Sequence, residues 1–378
     1  ALWALLKNKL KDGLSIIFAV GWLMLLINPY YLYSVSFQLS FIVTIGLIVG
    51  VPLLNQLQTH RFSLLKNALS VTFAAQLTSF PLIIYYFNEF SLLSWLANLF
   101  LVPLFSLIVI PVGMLALAAG LVSAGAGKII ARFVVEPVNT FAFWVMEKMN
   151  AVEQLILIWP SPSPLWVLIY YALLLAVYAL VRIRAAQLWH SLLLACCAAL
   201  FIAYGYFPES FQRNGQVQFL DVGQGDAILI RTPERQTILV DGGGTLSFRK
   251  DGEEWRTRKD PFEIGKDRLV PLLKKRGIRV IDYVIATHGD ADHTGGLKAV
   301  AEQIPVRHML FNGTIKNNRN NRELFQAALA KDIPLYFARA GTKLELGEHT
   351  TLYFFHPGPD AGSPLAADSE QNGQSVVF

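Results

Sequence analysis

The chain has 378 residues, 54% of them hydrophobic and only 16% charged, with a mean hydropathy of +0.43 and a net charge of +5. This composition excludes a disordered chain, a collagen-like fibre and a small disulfide-stapled domain, and its hydropathy is too high for an ordinary soluble enzyme. The averages hide two halves: residues 1–207 hold 10 Lys/Arg and 5 Asp/Glu, whereas residues 208–378 hold 22 of each.

The first half reads as membrane. A helix needs about 20 apolar residues to cross ~30 Å of hydrocarbon. Candidate spans, in chain order, are 13–27, 35–54, 68–87, 91–122, 133–149, 164–181 and 188–207. The fourth carries Pro103 and Pro111, which permit a kink, a break or a re-entrant turn; counted as one crossing, it brings the total to seven. Positive charge falls in alternate loops: Lys7, Lys9 and Lys11 at the start, Arg61 and Lys66 in 55–67, Lys128 and Arg132 in 123–132, Arg182 and Arg184 in 182–187. The loops between them, 28–34, 88–90 and 148–163, hold almost none, Lys148 being opposed by Glu153. With the positive loops cytoplasmic, seven crossings leave the second half outside. The basic pI therefore reports membrane orientation and is no sign of a nucleic-acid surface on the neutral half.

Polar side chains inside spans are costly. Gln38, Gln76, Asn98, Glu136 and Asn139 are candidates to face a pore or the bundle interior; hydrogen bonds between helices are the plainer reading of Gln38, Gln76 and Asn98. Cys196 and Cys197, adjacent in the last span, cannot build a disulfide framework and read as buried small hydrophobes.

From Gln216 the pattern changes to short strands and turns. Val217–Leu220, Ala227–Arg231 and Thr237–Val240 read as strands, with Pro233–Gln236 as a hairpin turn. Residues 244–265 read as an exposed loop, its Arg249, Lys250, Arg256, Arg258 and Lys259 a solvated face or a DNA contact. A helix over 266–277 ends at Gly277, Asp282–Ala286 is a buried strand and Leu297–Gln303 a helix. Further strands fall near 308–312, 334–336 and 350–355, with a helix near 321–331. The mixture is a layered α/β domain.

The chemistry sits where the buried strand ends, at Thr287-His288-Gly289-Asp290-Ala291-Asp292-His293-Thr294-Gly295-Gly296. His288, Asp290, Asp292 and His293 are four candidate metal ligands within six residues. A strand end entering a tight loop can turn all four toward one point, and imidazoles with carboxylates suit Zn²⁺ or Mn²⁺. Thr294-Gly295-Gly296 then opens a helix whose amides favour an anion such as phosphate. The alternative is a polar turn whose aspartates cap that helix.

His288-x-Asp290-x-Asp292-His293 followed by Gly295-Gly296 resembles the H-x-[HD]-x-D-H signature of the metallo-β-lactamase superfamily. There the first pair binds one metal and the Asp-His pair the other, which implies two divalent ions, zinc or manganese. Asp290 stands where most members have His, so Mg²⁺ is also open. Leu239-Val240-Asp241-Gly242-Gly243 resembles the superfamily's first Asp motif, which implies that Asp241 orients a ligand. Asp221-Val222-Gly223-Gln224-Gly225-Asp226 resembles a segment typical of the ComEC family of competence membrane proteins and implies that Gly223, Gln224 and Gly225 bring amides, with Asp226, to the rim of the site. The glycines there do not form a dinucleotide fingerprint, because Ile228 occupies the third position. Asp292, Asp241 and Asp226 are thus the candidate catalytic carboxylates, and Gly223, Gln224, Gly225 and Thr294 the candidate substrate contacts.

The first half resembles the same family in Asn28-Pro29 ahead of Ser36-Phe37-Gln38-Leu39-Ser40-Phe41, in Phe80-Pro81-Leu82 and in Ala97-Asn98-Leu99. The resemblance implies a multispanning α-helical membrane domain over 1–207, a linker over 208–215 and an α/β metallo-β-lactamase-like (αββα) domain over 216–378, truncated at its C-terminal end. Asn372-Gly373-Gln374-Ser375-Val376-Val377 resembles the strand before the superfamily's next metal motif, so the remaining ligands are expected beyond Phe378. The implied function is a bacterial inner-membrane channel that passes single-stranded DNA into the cytoplasm, working with membrane lipid and other competence DNA-uptake proteins. A metal-dependent nuclease domain outside would degrade the other strand. The rivals are a conduit whose hydrolase-like domain is inactive and a membrane-anchored metallohydrolase of small molecules.

Overall fold

The structure, a computed structural model, describes residues 12–57, 63–152, 155–182, 188–207, 214–244, 261–358 and 371–378. Two compact units divide the chain, residues 1–205 and 206–378. Lys7, Lys9, Lys11, Arg61, Arg184 and the basic cluster between Arg249 and Lys259 lie outside the described residues.

The first unit is helical: α1 (Gly13–Ile27), α2 (Val35–Leu57), α3 (Ser63–Phe87), α4 (Ser94–Val122), α5 (Ala124–Met149), α6 (Pro164–Arg182) and α7 (Leu188–Tyr206). Five of them, α2 to α6, contain stretches long and apolar enough to cross a membrane, and α1 is shorter. Their outward surfaces are strongly apolar, with Leu121 and Val122 each 91% exposed, as befits helices covered by lipid rather than protein. Cys196 and Cys197 belong to this outward surface and are exposed, not buried.

One expected span and two expected loops are ordered differently. The 91–122 run is neither broken nor re-entrant. Its first residue belongs to a strand, the next two make a turn, and Ser94–Val122 forms one helix with a π turn at Phe105–Val109. The 123–132 loop does not exist: Ser123 alone separates α4 from α5, so Lys128 and Arg132 are helical residues. A one-residue connection works because the helices touch at glycines. A Cβ on Gly127 would come within 2.7 Å of Gly120 Cα and of Ala116 O. The helix α3 likewise begins at Ser63, which makes Lys66 helical.

Three π turns share a cause. Ile110, Glu136 and Val270 each donate to the carbonyl five residues back, and each is followed directly by a proline, Pro111, Pro137 or Pro271. Proline has no N–H and its ring displaces the carbonyl four residues earlier, so the ladder widens by one residue there.

Between α3 and α6 the chain makes a small sheet that hydropathy does not reveal. The strand β1 (Glu89–Ser91) pairs antiparallel with β2 (Ile156–Ile158). Asn88, buried and at φ +57°, locks it. Its side-chain amide donates to Ile84 O at 3.1 Å, Trp159 O at 3.2 Å and Ser161 Oγ at 2.8 Å. Phe80 packs edge-on against Phe90 and Trp159 beneath it.

The second unit is built on a six-stranded sheet in chain order: β3 (Gln216–Phe219), β4 (Ile228–Arg231), β5 (Thr237–Val240), β6 (Ile281–Ala286), β7 (Val306–Phe311) and β8 (Leu335–Phe337). The first three are antiparallel neighbours, and β5 to β8 run parallel. Strands buried on both faces are mainly apolar, as residues 238–240 of β5 and 284–286 of β6 are, with Thr237 and Asp282 their buried polar members. One face packs against α8 (the π turn Gly265–Leu269 continued by Val270–Lys275), α10 (Leu297–Gln303) and α11 (Arg319–Ala330), through Leu239, Val284 and Met309 against Leu273, Val300 and Leu324. The other face, through Ile238, Val240 and Ile285, meets Leu346 and Phe354 beside the hairpin of β9 (Lys343–Glu345) and β10 (Thr351–Tyr353). The sequence pattern contains no expectation of β9.

Replacing Asn88 by Ala puts a side chain with a Cβ but no amide into the left-handed region, and is expected to destabilise the first unit by about 2–3 kcal/mol. Asn88→Gly, which tolerates the backbone angle, is expected to recover roughly half of that. Thermal unfolding in detergent measures both.

Candidate metal centre

The C-terminal ends of parallel strands are where α/β sheets gather their functional loops. Here the ends of β5, β6 and β7 carry Asp241, the 287–296 loop and the 312–318 loop.

Asp241 is the hub. It is 3% exposed and sits at φ +54°, its N–H donating to Ile285 O at 2.9 Å. One carboxylate oxygen accepts from the Thr287 amide at 2.8 Å. The other accepts from the Thr287 hydroxyl at 2.6 Å and lies 2.8 Å from His293 Nδ1. That contact holds the His293 pKa above its usual value, by the hydrogen bond first, against burial, with the charges of Asp241, Asp292 and Asp226 adding to it. A carboxylate on Nδ1 leaves Nε2 as the nitrogen able to bind a metal. His288 Nδ1 is 3.0 Å from the Thr287 hydroxyl, and the two imidazoles stand 4.0 Å apart between centroids. Burial, then His293, push the His288 pKa down, favouring the neutral ring that a metal needs.

Glycine backbone packs the three loops onto one another. A Cβ on Gly244 would lie 1.6 Å from Ala291 O, one on Gly225 (φ +82°) 1.7 Å from Asp292 O, and one on Gly296 2.1 Å from Gly242 O. Gly243 donates to Asp226 O at 2.8 Å and Gly242 to His293 O at 2.7 Å. The Gly223-Gln224-Gly225 loop is thereby seated against the short helix α9 (Ala291–Thr294), with Asp226 exposed at its edge.

Thr294 is 2% exposed and its hydroxyl donates to Asp290 O at 3.0 Å, so it serves the loop's backbone and does not face substrate. The Gly296 amide goes to Gly243 O at 3.0 Å, which withdraws one of the amides expected to meet an anion. Asp290 Oδ2 is 3.7 Å from His288 Nε2, and its Oδ1 is held by Lys316. Lys316 follows β7 in a loop anchored by Asn318, whose amide donates to Gly289 O at 2.8 Å. Gln371 is 1% exposed, and its Oε1 accepts from the Gly289 amide at 2.7 Å. Among the described residues its Nε2 is buried without a partner. The motif reading missed Lys316 and Gln371; for Lys316 the one available clue was its place after a parallel strand adjoining β6.

Among the described residues, no three His, Cys, Asp or Glu side chains are gathered into a group able to hold an ion. The donor chemistry nevertheless suits a divalent ion at His293, backed by Asp241, with Asp292 beside it.

In the membrane unit, Gln38 donates to Leu32 O at 2.8 Å and accepts from Tyr86 at 2.8 Å, and buried Gln76 donates to Ser94 at 2.8 Å. Asn98 and Asn139 are half-buried on α4 and α5, and Glu136 is exposed.

Fold and site together describe a multi-pass helical domain joined to an α/β domain of metallo-β-lactamase type. The family models agree: "Competence protein" matches residues 1–185 and "Metallo-beta-lactamase superfamily" residues 220–369. The chain is 27% identical over 361 residues to ComE operon protein 3 of Bacillus subtilis, covering 94% of this chain and 44% of that protein. It is 31% identical over 241 residues to competence protein ComA of Neisseria gonorrhoeae, covering 63% and 30%. The match to recombination protein 2 of Haemophilus influenzae is 27% over 124 residues, 33% and 13%. The chain thus carries a competence domain followed by a metallo-β-lactamase domain and is similar to ComE operon protein 3 over nearly its whole length, and it spans less than half the length of these curated relatives.

Asp241→Asn keeps the shape of the hub but removes the charge on His293 Nδ1. It is expected to weaken divalent-metal binding about 10–100-fold, as measured by calorimetric titration of Mn²⁺ or Zn²⁺ into the intact protein.

Proposed function

We propose that the protein is an inner-membrane DNA-uptake channel of natural transformation, passing single-stranded DNA into the cytoplasm. In this reading the α/β domain faces outward and degrades the strand left behind by metal-dependent phosphodiester hydrolysis, with other competence proteins delivering the DNA. The observation that carries it is the Asp241–His293 pair beside Asp292, built at the strand ends of a domain that follows a competence membrane domain in one chain.

The metal would be held by His293 and Asp292, with His288 facing it and Asp226 at the rim. Once bound, it supplies charge stabilisation and an activated water for attack at phosphorus. The chain's own residues prepare this. Asp241 fixes the His293 tautomer and ring plane, Thr287 bridges Asp241 to His288, and the Gly223–Gly225 loop closes one side. Gln38 and Gln76 support the membrane half as ties between segments, and Asn98 is offered as a pore-facing residue. The outward orientation rests on the alternation of positive segments.

A second reading, a DNA conduit whose hydrolase-like domain is inactive, is favoured by Lys316, which neutralises one of the four motif side chains. Asp292→Ala in the intact protein separates them. The catalytic reading expects uptake of labelled DNA to fall at least tenfold with the protein still in the membrane; unchanged uptake would contradict it.

A further inference from the structure

The metallo-β-lactamase resemblance implies two ions, one at each end of the motif. The two ends differ here. On one side, His293 is backed by the Asp241 carboxylate, and the acidic Asp292 and Asp226 lie within electrostatic reach. On the other, the Asp290 carboxylate is already paired with the Lys316 ammonium, its Oδ2 lying 3.7 Å from His288 Nε2.

The backbone that carries this lysine is held in place from several directions. Asn321 donates to Lys316 O at 3.3 Å, Asn318 donates to Gly289 O at 2.8 Å, and Asn318 caps α11 by accepting from the Asn321 amide at 2.8 Å. Lys316 is only about a quarter exposed, as is Asp290. Gln371 closes the same side, 1% exposed, with Oε1 on the Gly289 amide and Nε2 turned into the interior. An uncharged carboxamide whose oxygen is engaged by a backbone amide is a poor ligand for a divalent cation.

We infer that Lys316 takes the place of a second metal ion, so that the site binds one divalent cation, on the Asp292–His293 side, and supplies its other positive charge from the protein. A divalent ion beside the ammonium would meet like-charge repulsion and would have to take Asp290 from its partner. The Lys316 ammonium, its charge balanced by Asp290, also leaves N–H donors on the His288 side suited to a phosphodiester oxygen.

This inference rests on the reading that the domain takes a divalent metal, and the test separates the two. The intact protein, purified in detergent, is loaded with Mn²⁺, desalted and assayed for metal per chain by elemental analysis. Wild type is expected to hold one ion, Lys316→Gln two, and Lys316→Arg, which keeps the charge, one. Asp290→Asn is expected to stay at one and is informative even if Lys316→Gln fails to fold. Two ions in wild type, one in folded Lys316→Gln, or loss of the ion in folded Asp290→Asn overturns the inference while leaving metal binding intact. No ion in wild type overturns the metal reading itself.

Discussion

Everything in the α/β unit's centre depends on one buried carboxylate. Asp241 leaves β5 in a left-handed conformation, which turns its side chain across to the neighbouring strand end, where it takes up the Thr287 amide, the Thr287 hydroxyl and the His293 ring. A carboxylate this buried is tolerated only when its oxygens are satisfied. The requirement works in both directions: the loop must reach Asp241, and Asp241 must hold the loop. The imidazole orientation follows from that exchange, and with it the nitrogen left to bind metal.

The surrounding glycines follow from the same constraint. For the loops after β3, β5 and β6 to crowd around one carboxylate, backbone must touch backbone, and Gly225, Gly244 and Gly296 stand where any Cβ would collide with a carbonyl. The glycine-rich look of Gly223–Gly225 and Gly242–Gly244 thus reflects close approach between loops. The membrane unit solves its own packing problem with Gly120 and Gly127, which let two helices turn around Ser123 alone.

Much of this was legible in the sequence because the relevant signals are local. Strand alternation, the buried apolar runs of β5 and β6, and the H-x-D-x-D-H spacing are all read within a few residues. What escaped is non-local or competes with composition. The strands β1 and β2 pair residues about 67 positions apart in the chain, as Phe90 with Leu157, and each is only three residues long. Lys128 and Arg132 resemble loop charges by type, yet they sit in a helix whose neighbours are small and apolar. The pairing of Lys316 with Asp290 joins residues from two separate strand ends, which no motif spacing encodes. Thr294 reads as a substrate contact by its place in the motif, but the loop's own carbonyl claims its hydroxyl.

The central claim is that the α/β domain hydrolyses DNA with a divalent metal. Incubation of the intact purified protein with end-labelled DNA, in Mn²⁺ and in parallel with a chelator, tests it most directly. The account predicts shortening of the labelled strand in Mn²⁺ and none with the chelator; DNA left intact by protein shown to carry its metal would contradict it.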